Sequence, residues 1–352
     1  MNKKNKLFGK KDIILLFLIS VALMTPIFTK DTVTIFITSI IGIIPLAYYI
    51  GLGTEELAAH YSSVAGGLIS STFGNLTELI IGILAVKEGL TEVIKASLTG
   101  AIIGNTLFVF GSAVFLGGFK YKEQKLSSSL TDINGTLLLI TMLLFLFPSL
   151  LPLFHEKQFA LDISLMIAVL MIIIYIASLI FSLITHKEWF VDTADREKPT
   201  LSKGKSVMIL ATASVILAFI SESFVGVLEN FSHTYHLGEL FIGVVIIGLV
   251  GNVAEHLFAI NLALKNKVDL LITASIGSAL QIALLVTPIL LFTAYIFGQN
   301  MTLLFTPLEI ASIIASVLLI SEISNDRIVN WFEGLLLIAL YFVLAVLFYY
   351  AG

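Results

Sequence analysis

The chain contains eleven long apolar segments separated by short polar breaks, and this pattern constrains its fold more than any other feature. Most segments have roughly the 20 residues that an α-helix needs to cross a bilayer. Strands of a membrane barrel would be about half as long and would alternate in polarity. The sequence therefore predicts an all-α polytopic membrane protein with spans near 12–29, 33–51, 66–86, 96–118, 132–153, 160–184, 206–228, 240–264, 268–297, 303–321 and 328–350.

The composition excludes several classes of soluble protein. Hydrophobic residues make up 58% of the chain and charged residues only 12%, whereas soluble domains carry about 25% charged residues. We therefore expect the lipid bilayer as its environment, and neither a cytosolic enzyme, a nucleic-acid partner nor a disordered regulator. The chain has no cysteine, which excludes disulfides, a thiol nucleophile and a cysteine-based metal site.

The basic residues predict the orientation, because cytoplasmic loops are enriched in Lys and Arg. With the N-terminus inside and eleven crossings, 16 of the 20 Lys and Arg lie inside, and the outside retains Lys30, Lys87, Lys95 and Lys157. We expect a cytoplasmic N-terminus and an external C-terminus in a prokaryotic cytoplasmic membrane. The first apolar run is long for a signal peptide and lacks an A-x-A site, so we expect it to remain as a span.

An internal repeat divides the chain. The segment GNLTELIIGI at 74–83 recurs as GNVAEHLFAI at 251–260, and ASLTGAIIGNTL at 96–107 recurs as ASIGSALQIALL at 274–285 with one inserted residue. Upstream, a Thr-Glu pair at 54–55 matches a Ser-Glu pair at 221–222. We expect a tail and extra helix over 1–32, a first five-helix repeat over 33–185, a cytoplasmic linker over 186–205 and a second repeat over 206–352.

The two repeats are expected to have opposite orientations in the membrane. Five is an odd number of crossings, so the second copy enters the bilayer from the other side. Inverted repeats with glycine-interrupted helices at matching positions are typical of secondary transporters, which bind their substrates near the membrane midplane between the repeats. The predicted fold is therefore about eleven transmembrane helices, arranged as two inverted five-helix repeats plus one N-terminal helix.

Two acidic residues, Glu78 and Glu255, lie deep inside predicted spans at equivalent positions of the repeats. A charged side chain at the bilayer centre costs about 2.5–3.5 kcal/mol on insertion scales. A protonated glutamate that forms a hydrogen bond between helices would explain one such residue. Its recurrence within the same motif favours a binding site for a cation.

The residues around the two glutamates indicate which cation. Asn75 and Asn252 each precede a glutamate by three residues, which places amide and carboxylate on one helix face. Gly74 and Gly251 allow the backbone to loosen or a neighbouring helix to approach closely. Hard divalent cations such as calcium prefer oxygen ligands rich in carboxylates, whereas soft metals prefer sulfur or imidazole. The site is predicted to bind Ca²⁺, with Mn²⁺ as an open alternative.

Two carboxylates that lie close together in an apolar environment repel each other when both are ionised. Such a pair can hold a divalent cation or protons, but not both at once. Mutual exclusion at one site is what an antiporter requires. We therefore expect a transporter rather than an enzyme: Ca²⁺ binds from the cytosol, the halves rearrange, and external protons displace it. Ca²⁺ and H⁺ are then substrates, and no cofactor is expected.

Other polar residues near the motifs are weaker candidates, since polar side chains between membrane helices often only form packing hydrogen bonds. His256 would either tune the proton affinity of its neighbour or form an interhelical hydrogen bond. Acidic residues near span ends would either gather cations at an entrance or simply be solvated. The candidate oxygen ligands are Ser97, Asn105, Ser275, Ser278 and Gln281, and the acidic residues at the span ends are Glu55, Glu56 and Glu222.

The motifs GNLTE (74–78), GNVAEH (251–256) and SIGSALQIALLVTP (275–288) resemble those of the calcium/proton exchanger family of the calcium/cation antiporter superfamily. The resemblance covers nearly the whole chain after the first span. It implies that Glu78 and Glu255 bind calcium and protons alternately with help from the two asparagines. It also implies that the spans carrying Glu55 and Glu222 slide, and that the protein forms a homotrimer as bacterial members do.

The sequence lacks the G-[ST]-S-x-P-E motif of the sodium/calcium branch, which favours protons as the coupling ion. It departs from the resembling family at Gly104, where relatives commonly carry a polar residue. A sodium/calcium or manganese/proton exchanger remains an alternative, followed by a passive cation channel. An intramembrane protease is disfavoured because no HExxH, GxSxG or GxGD motif occurs.

Overall fold

The computed structural model describes residues 9–126, 128–154, 159–190, 199–325 and 327–351. Residues 1–8 of the expected N-terminal tail, residues 191–198 of the expected linker and the external Lys157 lie outside the described residues.

The described chain is almost entirely helical. Its first part contains α1 (Lys10–Phe28), α2 (Thr32–Ala58), α3 (Ser63–Phe73), α4 (Leu76–Lys87), α5 (Thr91–Tyr121), strand β1 (Glu123–Lys125), α6 (Ser128–Ser149), a 3₁₀ turn (Leu151–Phe154), α7 (Ala160–Thr185) and α8 (Lys187–Phe190). Its second part contains α9 (Lys203–Tyr235), α10 (Glu239–Gly251), α11 (Val253–Leu264), α12 (Val268–Ile296), α13 (Pro307–Asn325), strand β2 (Ile328–Asn330) and α14 (Trp331–Ala351).

The molecule is a polytopic α-helical membrane protein. In the described residues, nine helices are long and apolar enough to cross a membrane when α3 and α4 are counted together, and the bent pair α10–α11 makes a tenth. The span expected at 303–321 overlaps the 19-residue helix α13, which is not among these candidate spans. Large apolar side chains such as Phe17, Met166, Phe219 and Phe342 are exposed on the outside of the bundle, where lipid tails would cover them.

Several predicted segments differ from the structure at their ends. The run predicted at 303–321 becomes helical only at Pro307, because the N–H groups of Leu303 and Phe305 donate to the hydroxyls of Ser164 and Ser149 instead of to helix carbonyls. The run predicted at 328–350 begins with three residues of strand β2, which pair with β1. Lys95, expected in an external loop, lies within α5 and is buried.

The most important difference is that the two motif-carrying spans are not continuous helices. The predicted span 66–86 is interrupted between α3 and α4, and the predicted span 240–264 between α10 and α11, which meet at 58°. Hydropathy is similar on both sides of each interruption, so the apolar run alone does not reveal it. Each interruption falls at the Gly-Asn pair of the repeated motif.

Helices α5 and α12 are the most buried of the long helices and lie at the centre of the bundle. Each contains a π-helical turn, at Gly104–Val109 in α5 and at Ile282–Val286 in α12. The alignment of the two repeats pairs Gly104 with Ile282, so the turns begin at matching positions. Single π-helical turns inside α-helices often occur at functional sites, and these two flank the interrupted motifs.

The two halves of the sequence pack against each other across the centre. Helix α2 packs along α9 and also contacts α10 and α11, whereas α9 contacts α4. The first helix of each predicted repeat thus touches the motif helices of the other. Helices α5 and α10 approach so closely that a Cβ atom on Gly100 would lie 2.2 Å from the carbonyl oxygen of Val244.

A short antiparallel ribbon joins the two halves at one end of the bundle. Its register pairs Glu123 with Asn330 and Lys125 with Ile328. Gln124, between them, is buried and donates through Nε2 to the carbonyl oxygen of Ala263 at 3.0 Å. The ribbon thereby contacts the last turn of α11, whose carbonyls have no partners within the helix.

Candidate functional site

The interrupted helices place the two motifs in the same local geometry. Asn75 precedes α4 with φ −100° and ψ 30°, and Asn252 precedes α11 with φ −97° and ψ 16°. Glu78 and Glu255 are each the third residue of the helix that follows. A carboxylate in the first turn of a helix interacts favourably with its unpaired N–H groups. The predicted helical i, i+3 relation is therefore replaced by a residue at a helix start and a glutamate in its first turn.

The structure brings the two motifs into contact. A Cβ atom on Gly251 would lie only 3.0 Å from Oε1 of Glu78, so the carboxylate of the first motif rests against the backbone of the second. Glu78 and Glu55 are both close enough to Glu255 for their charges to interact with its carboxylate. Glu78, Glu255 and Gly251 therefore form one site.

The carboxylates in this site lack hydrogen-bond partners. In the part of the chain that the structure describes, Oε1 and Oε2 of Glu78 and Oε2 of Glu255 are buried and accept no hydrogen bond. A buried charge without a partner is unfavourable by several kcal/mol or more, so such groups are normally paired, coordinated to a metal or protonated. This arrangement suits either a bound cation or bound protons.

Amide and hydroxyl groups from both halves form a continuous network beside the carboxylates. Asn75 donates through Nδ2 to Oε1 of Gln281 at 2.7 Å, and Ser278 donates to Oδ1 of Asn75 at 3.1 Å. Asn105 donates through Nδ2 to Oδ1 of Asn252 at 3.0 Å and to Oγ of Ser278 at 3.3 Å. The network links the two predicted asparagines through Ser278 and Asn105, two of the predicted secondary residues, while a third, Gln281, bonds to Asn75 alone.

A small cavity opens beside Glu78. Its polar lining comes from Glu78 and Ser97, and from the backbone of Gly248 and Gly251. The remaining lining is apolar, with residues from α4, α5, α10 and α12. Ser97 donates its hydroxyl proton to the carbonyl oxygen of Ile94, so its oxygen keeps lone pairs that can face a cation.

The other predicted site residues are less directly involved. Ser275 is buried and donates to the carbonyl oxygen of Leu271 in its own helix. Glu222 is exposed, as is Glu55. The ring of His256 packs edge-on against Phe108, with centroids 5.6 Å apart.

Gly74, a predicted site position, and Gly104, where the sequence departs from the family it resembles, both contribute through the backbone. A Cβ atom on Gly74 would lie 2.7 Å from the carbonyl oxygen of Ser70 and 3.5 Å from Oε1 of Gln281, so glycine permits close packing there. Gly104 begins the π-helical turn of α5 and has open space around it apart from the carbonyl oxygen of Gly248 at 3.9 Å. Glu56, a weaker candidate, accepts hydrogen bonds from the backbone N–H groups of Thr200 and Leu201.

Two buried polar groups near the site were not predicted from the sequence. Tyr175 donates its hydroxyl proton to the carbonyl oxygen of Ser71 at 3.1 Å, four residues before Asn75. Glu309 is buried at the start of α13, where it accepts hydrogen bonds from Thr99 and from the N–H group of Thr306. A lone tyrosine and a third acidic residue within apolar runs were the signals available for them.

The described residues contain no group of three or more His, Asp or Glu side chains that could hold a metal ion. The two glutamates would therefore need oxygens from amides, hydroxyls, carbonyls or water to complete the six to eight ligands that calcium prefers. Asn75, Asn252, Ser97 and the carbonyl oxygen of Gly248 lie in or beside the site.

Comparison with known proteins identifies the family. The sequence model of the sodium/calcium exchanger protein family matches residues 31–184 and 205–350. The Ca(2+)/H(+) antiporter ChaA of Bacillus subtilis is 39% identical over 315 residues, covering 88% of this chain and 90% of that protein. The Ca(2+)/H(+) antiporter of Synechocystis is 39% identical over 340 residues, covering 90% and 91%.

A solved structure agrees with this assignment. Native YfkE superposes on this chain with a TM-score of 0.84 at 35% identity, over 96% of this chain and 99% of that one. The resemblance seen in the motifs is therefore confirmed, and so is the helical membrane fold. The chain belongs to the sodium/calcium exchanger protein family, in its calcium/proton exchanger branch.

Proposed function

We propose that this protein is a secondary antiporter that exports Ca²⁺ from the cytosol in exchange for H⁺, with Glu78 and Glu255 as the shared binding site. The observation that carries the proposal is the pair of buried carboxylates, three of whose four oxygens lack hydrogen-bond partners among the described residues. The Ca(2+)/H(+) antiporters that the chain resembles support this choice of ions.

Competition at one site accounts for coupling. When both carboxylates are ionised, a divalent cation between them balances their charge, and when protons bind they no longer attract the cation. Asn75, Asn252 and Ser97 would supply further oxygens. Because protons and calcium compete, the apparent KM for calcium is expected to rise as the pH on the binding side falls.

Alternating access would arise from movement of α2 and α9. These helices pack along each other and each contacts the motif helices of the other half. Thr54 and Ser221, which the repeat alignment pairs, are both buried, and their hydroxyl oxygens have no partner in the described residues. Two helices joined mainly by apolar contacts and carrying unpaired hydroxyls at this depth can slide without breaking a hydrogen bond there.

We extend the proposal to the arrangement in the membrane. The charge distribution places the N-terminus in the cytoplasm and the C-terminus outside, in a cytoplasmic membrane. The two matches of the family model fall within 33–185 and 206–352 apart from one or two residues at an edge, which supports two repeats; their inverted orientation rests on the odd number of crossings in each. A homotrimer is implied only by resemblance to bacterial members.

The decisive experiment measures calcium-45 uptake into proteoliposomes that are acidic inside, with and without sodium. We expect uptake driven by the proton gradient in the wild type, and a loss of at least about 100-fold in Glu78→Gln and Glu255→Gln, because each variant removes one carboxylate charge from the site. Glu88→Gln is the matched control, since Glu88 is exposed just after α4.

The outcomes separate the alternatives. Uptake driven by a sodium gradient would show that sodium, and not the proton, is the coupling ion. Uptake that depends on neither gradient would indicate a channel. Competition by Mn²⁺ at concentrations well below those of calcium would make manganese the preferred substrate. Normal uptake by either glutamine variant would refute the paired-carboxylate site.

A further inference from the structure

The interruption of each motif helix releases a buried backbone carbonyl. Ser71 and Gly248 occupy equivalent positions of the repeats, four residues before Asn75 and Asn252. In a continuous helix these carbonyls would accept from the N–H groups of the two asparagines. The helices end at Phe73 and Gly251, so in the described chain these carbonyls lack that backbone donor. A buried carbonyl without a donor is unfavourable, because it has lost its hydrogen bonds to water without replacement.

The two repeats satisfy this carbonyl in different ways. In the second repeat, the side chain of Asn252 turns back and donates through Nδ2 to the carbonyl oxygen of Gly248 at 3.0 Å. In the first repeat, Tyr175 donates its hydroxyl proton to the carbonyl oxygen of Ser71 at 3.1 Å. Both hydrogen bonds are buried. The hydroxyl of Tyr175 therefore supplies to the carbonyl of Ser71 the hydrogen bond that the amide of Asn252 supplies to the carbonyl of Gly248.

This difference decides what each asparagine amide can do. The Nδ2 group of Asn252 is used within its own helix, and its Oδ1 accepts from Asn105. The Nδ2 group of Asn75 does not bond to the carbonyl of Ser71 and instead donates to Oε1 of Gln281 in α12 at 2.7 Å. With Nδ2 held by Gln281, Oδ1 of Asn75 faces Ser278 at 3.1 Å.

We propose that Tyr175 is a positioning residue for the ion site: by occupying the carbonyl of Ser71, it orients Asn75 toward Gln281. The proposal rests on the proposed function only in that the oriented amide belongs to the calcium site. Tyr175 lies on the buried face of α7 with Met171, whereas Met166 and Ile173 on the same helix are exposed. Its hydroxyl touches no carboxylate of the site, so its effect passes through Asn75.

The test is a double-mutant cycle with Tyr175→Phe, Gln281→Met and the double variant, read by equilibrium binding of calcium-45 to the purified full chain. In Tyr175→Phe, the amide of Asn75 should turn back to Ser71, as that of Asn252 does to Gly248. Losing one such buried hydrogen bond corresponds to about fivefold to tenfold weaker calcium binding. In the Gln281→Met background the amide is already released, so Tyr175→Phe should change affinity less than twofold.

The matched control is Tyr341→Phe. Tyr341 is a buried tyrosine of α14 whose hydroxyl has no hydrogen-bond partner in the described residues, so calcium affinity should be unchanged. Equal effects of Tyr175→Phe with and without Gln281, or no effect in either background, would overturn the positioning role. Equal effects would mean that the tyrosine acts only on its own carbonyl.

A second measurement separates this proposal from the proposed function. The same four proteins are unfolded thermally without calcium, and Tm is compared. Tyr175→Phe should lower Tm more in the wild-type background than in the Gln281→Met background. In the wild-type background the substitution also breaks the hydrogen bond between Asn75 and Gln281, whereas in Gln281→Met that bond is already absent. A wild type that binds no calcium would refute the calcium site, but the Tm values would still report whether Tyr175 positions Asn75. Additive changes in Tm would refute the positioning role of Tyr175 and leave the calcium site untouched.

Discussion

Gly251 leaves room for the carboxylate of Glu78 because it has no side chain. A Cβ atom at this position would approach Oε1 to 3.0 Å and Cγ and Cδ to 3.5 Å, so Glu78 would have to move by a few tenths of an ångström. Divalent cations bind within narrow ranges of oxygen distance. A methyl group at Gly251 therefore tests whether the position of Glu78, and not only its charge, sets calcium affinity.

We predict that Gly251→Ala raises the apparent KM for calcium about tenfold, or about 1.4 kcal/mol in binding free energy, with a smaller effect on Tm. The matched control is Gly277→Ala, because a Cβ atom there would have no neighbour within 4 Å. Calcium-45 uptake at varied calcium concentration measures the effect. An unchanged KM in Gly251→Ala would mean that the carboxylate adjusts freely.

At the residue scale, much of the site could be predicted from the sequence. The repeated motif identified Glu78 and Glu255, and the same reasoning selected Asn105 and Gln281, which the structure joins to the two asparagines. Tyr175 was missed because its role depends on a carbonyl released by the helix break, which no sequence pattern records. Whether these residues bind calcium stays a prediction.

At the scale of elements, the contact between α5 and α10 depends on glycines from both halves. A Cβ atom on Gly100 would lie 2.2 Å from the carbonyl oxygen of Val244, and one on Gly243 would lie 2.6 Å from that of Val93. Backbone atoms cannot move aside as the end of a side chain can. The two helices would have to separate to accommodate either methyl group.

We predict that Gly100→Ala lowers the free energy of unfolding by about 2 kcal/mol or more, since overpacking a tight interface usually costs about 1–3 kcal/mol. Gly226→Ala is the control, because it lies in α9 with no neighbour within 4 Å of its Cβ position. Thermal unfolding of the purified protein compares the two. Equal Tm values would show that α5 and α10 separate easily.

Helix ends and interruptions were the weakest part of the element predictions. Hydropathy identified the apolar runs because the bilayer demands them, yet it does not respond to where backbone hydrogen bonds are lost. The break at Asn75, the π-helical turn at Gly104 and the strand at Ile328 all lie within or beside apolar sequence. The Gly-Asn pairs predicted only that the backbone could loosen, which it does at both motifs.

At the scale of the whole molecule, the proposed orientation in the membrane rests on the loop charges. The absence of cysteine from the sequence allows a direct test with single-cysteine variants. We predict that Asn300→Cys reacts with a membrane-impermeant maleimide on intact cells, whereas Lys265→Cys reacts only after permeabilisation. Both positions are exposed at helix ends. The reverse pattern would invert the proposed topology.

The two-part organisation was visible in the sequence because the motif recurs, but the differences between the halves were not. Tyr175 and Asn252 satisfy equivalent carbonyls by different means. The ribbon of β1 and β2 follows α5 in one half and precedes α14 in the other. Such differences depend on contacts that only one half makes, and a self-comparison of the sequence detects only what both halves share.

The ribbon has an energetic consequence for the transport cycle. It pairs Glu123–Lys125 with Ile328–Asn330 and donates from Gln124 to the end of α11, and it is the one strand pairing between the two halves in the part of the chain that the structure describes. Exchanging the roles of the two halves therefore cannot give a state of equal free energy. In the alternating-access cycle proposed above, the equilibrium between inward-open and outward-open forms should therefore be biased even without ions, so that one direction of the cycle runs against a built-in preference.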